Sequence, residues 1–200
     1  MQASELFNQP NTILLDGGMG TMLQAAGMKL GTRPEDLNLE NPELIRSIHA
    51  KYAAAGSRVV NANTFGASPH KLADSKYTLE EVITAGIANC KQAVAPYGAL
   101  VTLDVGPLGE LLEPSGTLAF EDAVAEYGRI VRAGVAAGAD ILYFETFTDL
   151  YEMKAALLAA RENSTLPIMA SMSFEANGRT FTGCTVESFA ATARGLGANA

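Results

Sequence analysis

Five polar residues mark where apolar runs stop: Asp16, Asn63, Asp104, Glu145 and Ser173. A charge ending such a run is costly to bury unless it is paired. Glu145 follows Ile-Leu-Tyr-Phe at 141–144. Its partner is either a cation carried by a ligand or the N-terminus of the next helix. Asp16 precedes Gly17-Gly18, an arrangement that serves a ligand or an ordinary turn. Glycines there let main-chain N–H groups come close to an anionic group. Asn63, Thr64 and Asp104 can contact a ligand or bond within their own loops, and Ser173 has the same two options.

Other reactive residue types give less. Cys90 falls on the apolar stripe of an expected helix and reads as a buried, inert thiol. Cys184 follows the fifth apolar run, and 94 residues between two cysteines is not a zinc spacing. His49 is expected on a helix and His70 in a loop, neither with a partner at a readable spacing. Met19, Met22 and Met28 read as packing residues. A Schiff-base aldolase needs a lysine on a strand. Lys29, Lys51, Lys71, Lys76, Lys91 and Lys154 all fall in expected loops or helices, which counts against that enzyme class. A metal-dependent lyase would place histidine at a strand end, and none is there.

The segments carrying these residues repeat one pattern. Short apolar runs at 12–16, 57–64, 99–105, 140–146 and 166–173 alternate with helical segments. The runs are nearly continuous rather than alternating, which predicts strands covered on both faces, as in parallel sheets. Asn41-Pro42 supplies a cap and a first-turn proline for a helix with Leu44, Ile48 and Tyr52 on one face, stopped at Gly56. Thr78-Leu79-Glu80-Glu81 is a capping box ahead of the stripe Ile83, Ile87, Cys90 and Val94. Asp149 opens a helix through Met153, Leu157 and Leu158, and residues 120–137 and 185–196 read as two more. Residues 27–40 read as a surface loop.

Strand and helix in alternation is α/β. No Gly-x-Gly-x-x-Gly follows the first run, which removes the dinucleotide version of a doubly wound sheet. Polar residues recurring at the C-terminal ends of strands favour a (β/α)8 TIM barrel, whose mouth gathers those ends. Five units use nearly all of the chain, while a full barrel takes about 250 residues. Residues 1–200 are therefore expected to be the N-terminal part of one barrel, incomplete at its C-terminus, with residues 197–200 leading into a sixth strand. Open first and fifth strands predict self-association.

Composition bounds the partners. Fourteen Lys and Arg against 22 Asp and Glu give a net charge of −8, which argues against nucleic acid and against an anionic membrane surface. Nowhere does an apolar run approach the roughly 20 residues of a membrane span. The first ten residues carry neither a basic nor an apolar signal region. Two cysteines make no disulfide framework, so a cytoplasmic location is expected.

Five segments then add a resemblance. They are Leu-Leu-Asp-Gly-Gly-Met-Gly-Thr at 14–21, Asn-Ala-Asn-Thr-Phe-Gly-Ala-Ser at 61–68 and Asp-Val-Gly-Pro-Leu-Gly-Glu-Leu at 104–111. The fourth is Phe-Glu-Thr-Phe-Thr-Asp at 144–149, and the fifth is residues 174–183 with Gly-Arg-Thr at 178–180. In order and spacing they resemble the homocysteine S-methyltransferase family, most closely the homocysteine-binding module of its cobalamin-dependent methionine synthase branch. The resemblance implies a substrate site for homocysteine built from Asp16, Gly17, Gly18, Asn63, Thr64, Asp104, Glu145 and Ser173, with Glu145 on the ammonium. It implies that zinc holds the substrate thiol as a thiolate. The methyl group would come from methylcobalamin, recharged from methyltetrahydrofolate, on cobalamin- and folate-binding modules of the same protein. The family's three zinc-binding cysteines follow its sixth strand and lie near its eighth, past Ala200. No catalytic residue, metal ligand or bound cofactor is therefore expected within this chain, and alone it is expected to be inactive, a scaffold for substrate binding.

Overall fold

Side-chain caps set the starts of several helices. In the computed structural model, which describes residues 3–8, 10–29 and 31–200, Asn41 accepts from the Leu44 amide at 3.3 Å and Pro42 takes the first helical position. Thr78 and Glu81 form the reciprocal capping box, and Asp149 accepts from the Tyr151 amide. Gly56, at φ +109°, ends the first of these helices in the left-handed region that favours glycine.

Four parallel strands form one sheet in the order β1-β2-β3-β4: β1 Val59–Asn61, β2 Leu100–Val105, β3 Ile141–Phe147 and β4 Ile168–Met172. The helices are α1 Ala3–Leu6, α2 Met19–Ala25, α3 Leu37–Glu40, α4 Pro42–Ala54, α5 Leu79–Val94, α6 Phe120–Ala136, α7 Leu150–Asn163 and α8 Val186–Gly195. Strand, helix and strand alternate from β1 onward, and the α/β barrel architecture expected from the sequence is present as an arc.

One expected strand is reduced to a single bridge. Residues 12–16 pair with β1 only at Leu15 and Val59, beside bonds from the Arg58 amide to the Leu14 carbonyl and from the Asp16 amide to the Val59 carbonyl. Its neighbour β1 is itself three residues long and pairs over all three with β2. At the other edge, the Asn199 amide donates to the Ile168 carbonyl and the Ala170 amide to the Ala200 carbonyl, so residues 199–200 run along β4. The segment 27–40 is not a plain surface loop. It holds a 3₁₀ turn over Pro34–Asp36 followed by α3, and it buries Glu35 and Asn38.

The sheet separates two environments. Val60, Val101, Leu103, Val105, Leu142, Phe144 and Ile168 pack into the helix layer with Ile83, Ile87, Tyr127, Ile130, Val131 and Leu157. Val59, Ile141 and Met169 face the hollow of the arc, where Leu6 of α1 covers them with Leu15, Leu100 and Tyr143 alongside. On α4 the buried face is Ile45, Ile48, His49 and Ala53; Leu44 and Tyr52 sit one step around, against Leu23 of α2. The expected stripe on α5 is buried throughout. Cys90 lies within it, its thiol 3.8 Å from the Val60 carbonyl and pushed well up by burial.

Candidate functional site

The hollow of the arc opens at the C-terminal ends of the strands into a cavity of about 410 Å³. Asp16, Gly17, Gly18, Asn63, Asp104 and Glu145 line it, so six of the eight residues singled out from the sequence meet at one place. Asp16 is set by the bridge to β1: its Oδ2 accepts the Asn61 amide at 3.1 Å, while its Oδ1 is buried without a hydrogen-bond partner. Burial pushes its carboxyl up to about 7, with the Glu145 charge adding to the effect and the Asn61 amide opposing it.

Asp104 comes from the C-terminal end of strand β2, 6% exposed, with Oδ1 also buried and unpartnered. Burial, then the charges of Glu145 and Asp16, hold it well above the usual carboxylate range. Glu145 on β3 lines the same cavity, and burial raises its carboxyl too. Asp16, Asp104 and Glu145 thus face one space and repel one another once ionised, and Glu35 adds a fourth carboxylate to its lining. An arrangement of this kind is relieved by a cation, and the two orphaned oxygens mark where its hydrogen-bond donors would go.

The remaining walls are held from behind. Tyr52 donates to the Gly18 carbonyl at 3.2 Å, and a Cβ on Gly17 would stand 3.0–3.3 Å from the Tyr52 hydroxyl and ring, so a larger residue there would press on Tyr52. Asn63 turns its amide away from the cavity, donating to the Pro34 carbonyl at 2.8 Å and to Asn38 Oδ1 at 2.9 Å. Asn38 returns a bond to the Asn63 carbonyl at 2.8 Å. Thr64 is not among the lining residues. Its hydroxyl donates to the Asp104 carbonyl at 2.8 Å and accepts the Asp104 amide at 3.1 Å, which fixes the backbone that carries Asp104. Ser173 is exposed, with its amide on the Phe147 carbonyl, and does not reach the cavity.

Sequence reasoning missed Glu35. It lines the cavity from the 3₁₀ turn, is 6% exposed, and accepts the Gly66 amide at 2.7 Å. A Cβ on Gly66 would sit 2.6 Å from Glu35 Oε1, so any larger residue there would displace the Glu35 carboxylate. Burial raises Glu35, against the opposing charges of Lys71 and Arg33. Its available signal was Pro34 followed by two acids, the composition of a helix start. Asn61, Phe65 and Thr146 were missed as lining residues as well.

A larger cleft of about 530 Å³ lies further out, between the start of α7 and the segment before α8. Asp149, Lys154, Thr182 and Cys184 border it, and it gathers none of the strand-end carboxylates. Among the described residues no group of three or more His, Cys, Asp or Glu side chains is placed to hold a metal ion. Cys90 and Cys184 are on different elements, both with thiols raised by burial, and His49 is enclosed in α4 with neither ring nitrogen bonded. Among the described residues no helix is long and apolar enough to cross a membrane.

Residues 13–200 match the model of the family described as homocysteine S-methyltransferase. A methionine synthase of Mycobacterium tuberculosis (strain ATCC 25618 / H37Rv) is 29% identical, over 82% of this chain and 15% of that protein. The chain therefore spans a small part of the length of that relative. The oxidized form of the homocysteine methyltransferase MmuM from Escherichia coli superposes with a TM-score of 0.85 at 25% identity, over 96% of this chain and 72% of that one. The metallated form of the same enzyme superposes at 0.82 with 22% identity, covering 96% and 73%, a likeness of fold.

Proposed function

The chain belongs to the homocysteine S-methyltransferase family, and from that premise we propose that its acidic cavity grips the amino-acid end of homocysteine for methylation of the thiol to methionine. The observation that carries this reading is the pair of buried, unpartnered oxygens on Asp16 and Asp104 beside Glu145. An α-ammonium carries three donors and one positive charge. It can satisfy both oxygens and offset part of the repulsion among the carboxylates. Gly17 and Gly18, exposed at the same cavity, offer main-chain N–H groups to the α-carboxylate. Glu145 is the principal charge partner. Asp16 and Asp104 complete the grip, their unpartnered oxygens accepting from the ammonium.

The zinc that the family resemblance implies for holding the thiolate does not fit the described residues, which supply no donor set for it. No step is therefore derived through zinc, and none through cobalamin. This chain's own contribution is to bind, to orient and to place protons. In the methionine synthase reading the methyl group arrives from methylcobalamin on another module, recharged from methyltetrahydrofolate, and this chain alone binds homocysteine without turning it over.

Isothermal titration of the full chain with reduced L-homocysteine tests the reading. Glu145→Gln keeps the shape and removes the charge, and is expected to weaken binding about 10- to 100-fold, the worth of a charge-assisted hydrogen bond. Unchanged affinity in the variant, or no heat with the parent chain, overturns it.

A further inference from the structure

The strand that carries Glu145 is irregular at that residue. β3 and β4 pair in step from Leu142 with Ile168 to Phe144 with Ala170, and again at Phe147 with Met172. Three residues of β3 are therefore advanced against two of β4, so Glu145 and Thr146 together oppose Ser171. That is a β-bulge, which re-aims side chains locally. Its effect on facing can be read from the packing. Phe144 and Phe147 both enter the helix layer, each with its ring about 6 Å from that of Tyr127. In a regular strand residues 145 and 147 share a face. Phe147 would then have pointed into the hollow beside Glu145. The extra residue lets the aromatic pair stay in the core while Glu145 keeps the cavity.

The bulge is strained. Thr146 has φ +56°, a left-handed backbone that a β-branched residue adopts only when its surroundings compel it. One side chain is placed to do so. Ser171 Oγ accepts the Thr146 amide at 3.0 Å and lies 3.0 Å from the Tyr143 hydroxyl. It thereby ties together the residues on either side of Glu145. Ser171 is not a lining residue of the cavity, and no reading of the sequence singled it out.

We propose that Ser171, braced by Tyr143, is a positioning residue that clamps the Glu145–Thr146 bulge and so aims the Glu145 carboxylate at the ligand. The proposal rests on the reading of Glu145 as the ammonium partner. It predicts that Ser171→Ala frees the Thr146 amide, lets the bulge relax, and weakens homocysteine binding about tenfold. Ser171→Thr keeps the hydroxyl and restores affinity.

The experiment is a double-mutant cycle by calorimetry on the full chain, with amide exchange of Thr146 followed by NMR in each variant. Acting through Glu145, Ser171→Ala costs little further affinity when Glu145→Gln is already present, and it speeds Thr146 exchange in either background. The proposal is overturned if Ser171→Ala leaves affinity unchanged while Glu145→Gln lowers it. Additive losses, or Thr146 exchange that does not change, overturn it equally. A parent chain that binds no homocysteine, or a Glu145→Gln variant that binds as the parent does, instead removes the reading beneath, and the clamp then stands or falls on Thr146 exchange alone.

Discussion

Along β2, Val101, Leu103 and Val105 enter the helix layer, while Leu100, Thr102 and Asp104 face the hollow of the arc. The helix side is apolar and closely packed. The hollow side starts out the same way, with Val59, Ile141 and Met169 under Leu6. One step along, the Thr102 hydroxyl donates to Asn61 Oδ1 at 2.8 Å. It then ends in carboxylates with unpartnered oxygens. One set of strands therefore supplies stability on one face and stored electrostatic cost on the other, and the cost rises toward the C-terminal ends. The difference teaches that removing a side chain should destabilise on the helix side and can stabilise at the mouth.

The largest effect should come from Phe144→Ala. Phe144 is fully buried against Tyr127 and Phe147, so the cavity left behind should cost about 3–5 kcal/mol in urea unfolding. A loss below about 1 kcal/mol would erase the contrast between the faces. Asp16→Asn should act in the opposite direction. Folded Asp16 holds its proton up to about pH 7, whereas the unfolded chain releases it near the ordinary aspartate value. Stability is thus fully present in acid and is lost as pH rises from about 4 to 7. For a fully buried group that span is worth ~4 kcal/mol, and partial exposure reduces it to about 2–3 kcal/mol. The asparagine variant should match the parent at pH 4, exceed it by that amount at pH 8, and bind homocysteine more weakly. Parallel stability–pH curves for the two proteins would show that Asp16 does not carry the cost assigned to it.

Much of this was legible in the residues. Parallel strands read as continuous apolar runs, and their polar terminators Asp16, Asp104 and Glu145 pointed to one mouth because a barrel arc brings those ends together. The caps at Asn41, Thr78 and Asp149 were legible because capping is local chemistry. What failed was non-local. Thr64 and Ser173 sit at strand ends like the others, but whether a polar strand end turns to the cavity or to the backbone beside it depends on packing. The bulge at Glu145–Thr146 left no mark in the apolar pattern: the run was read as ending at residue 146, whereas the strand continues to Phe147. Glu35 and Asn38 lay in a segment read as surface because single helical turns are too short to show a period. The first run was read as a full strand, but it joins β1 at a single bridge, because pairing depends on the neighbouring chain as well as on the run's own composition.

The account turns on whether the cavity recognises an ammonium. Titration of the full chain with L-homocysteine and with 4-mercaptobutanoate, which keeps the thiol and carboxylate and lacks the amine, tests this most directly. The account predicts that homocysteine binds and that the deaminated compound binds at least about 100-fold more weakly. Equal affinity for the two compounds would contradict it.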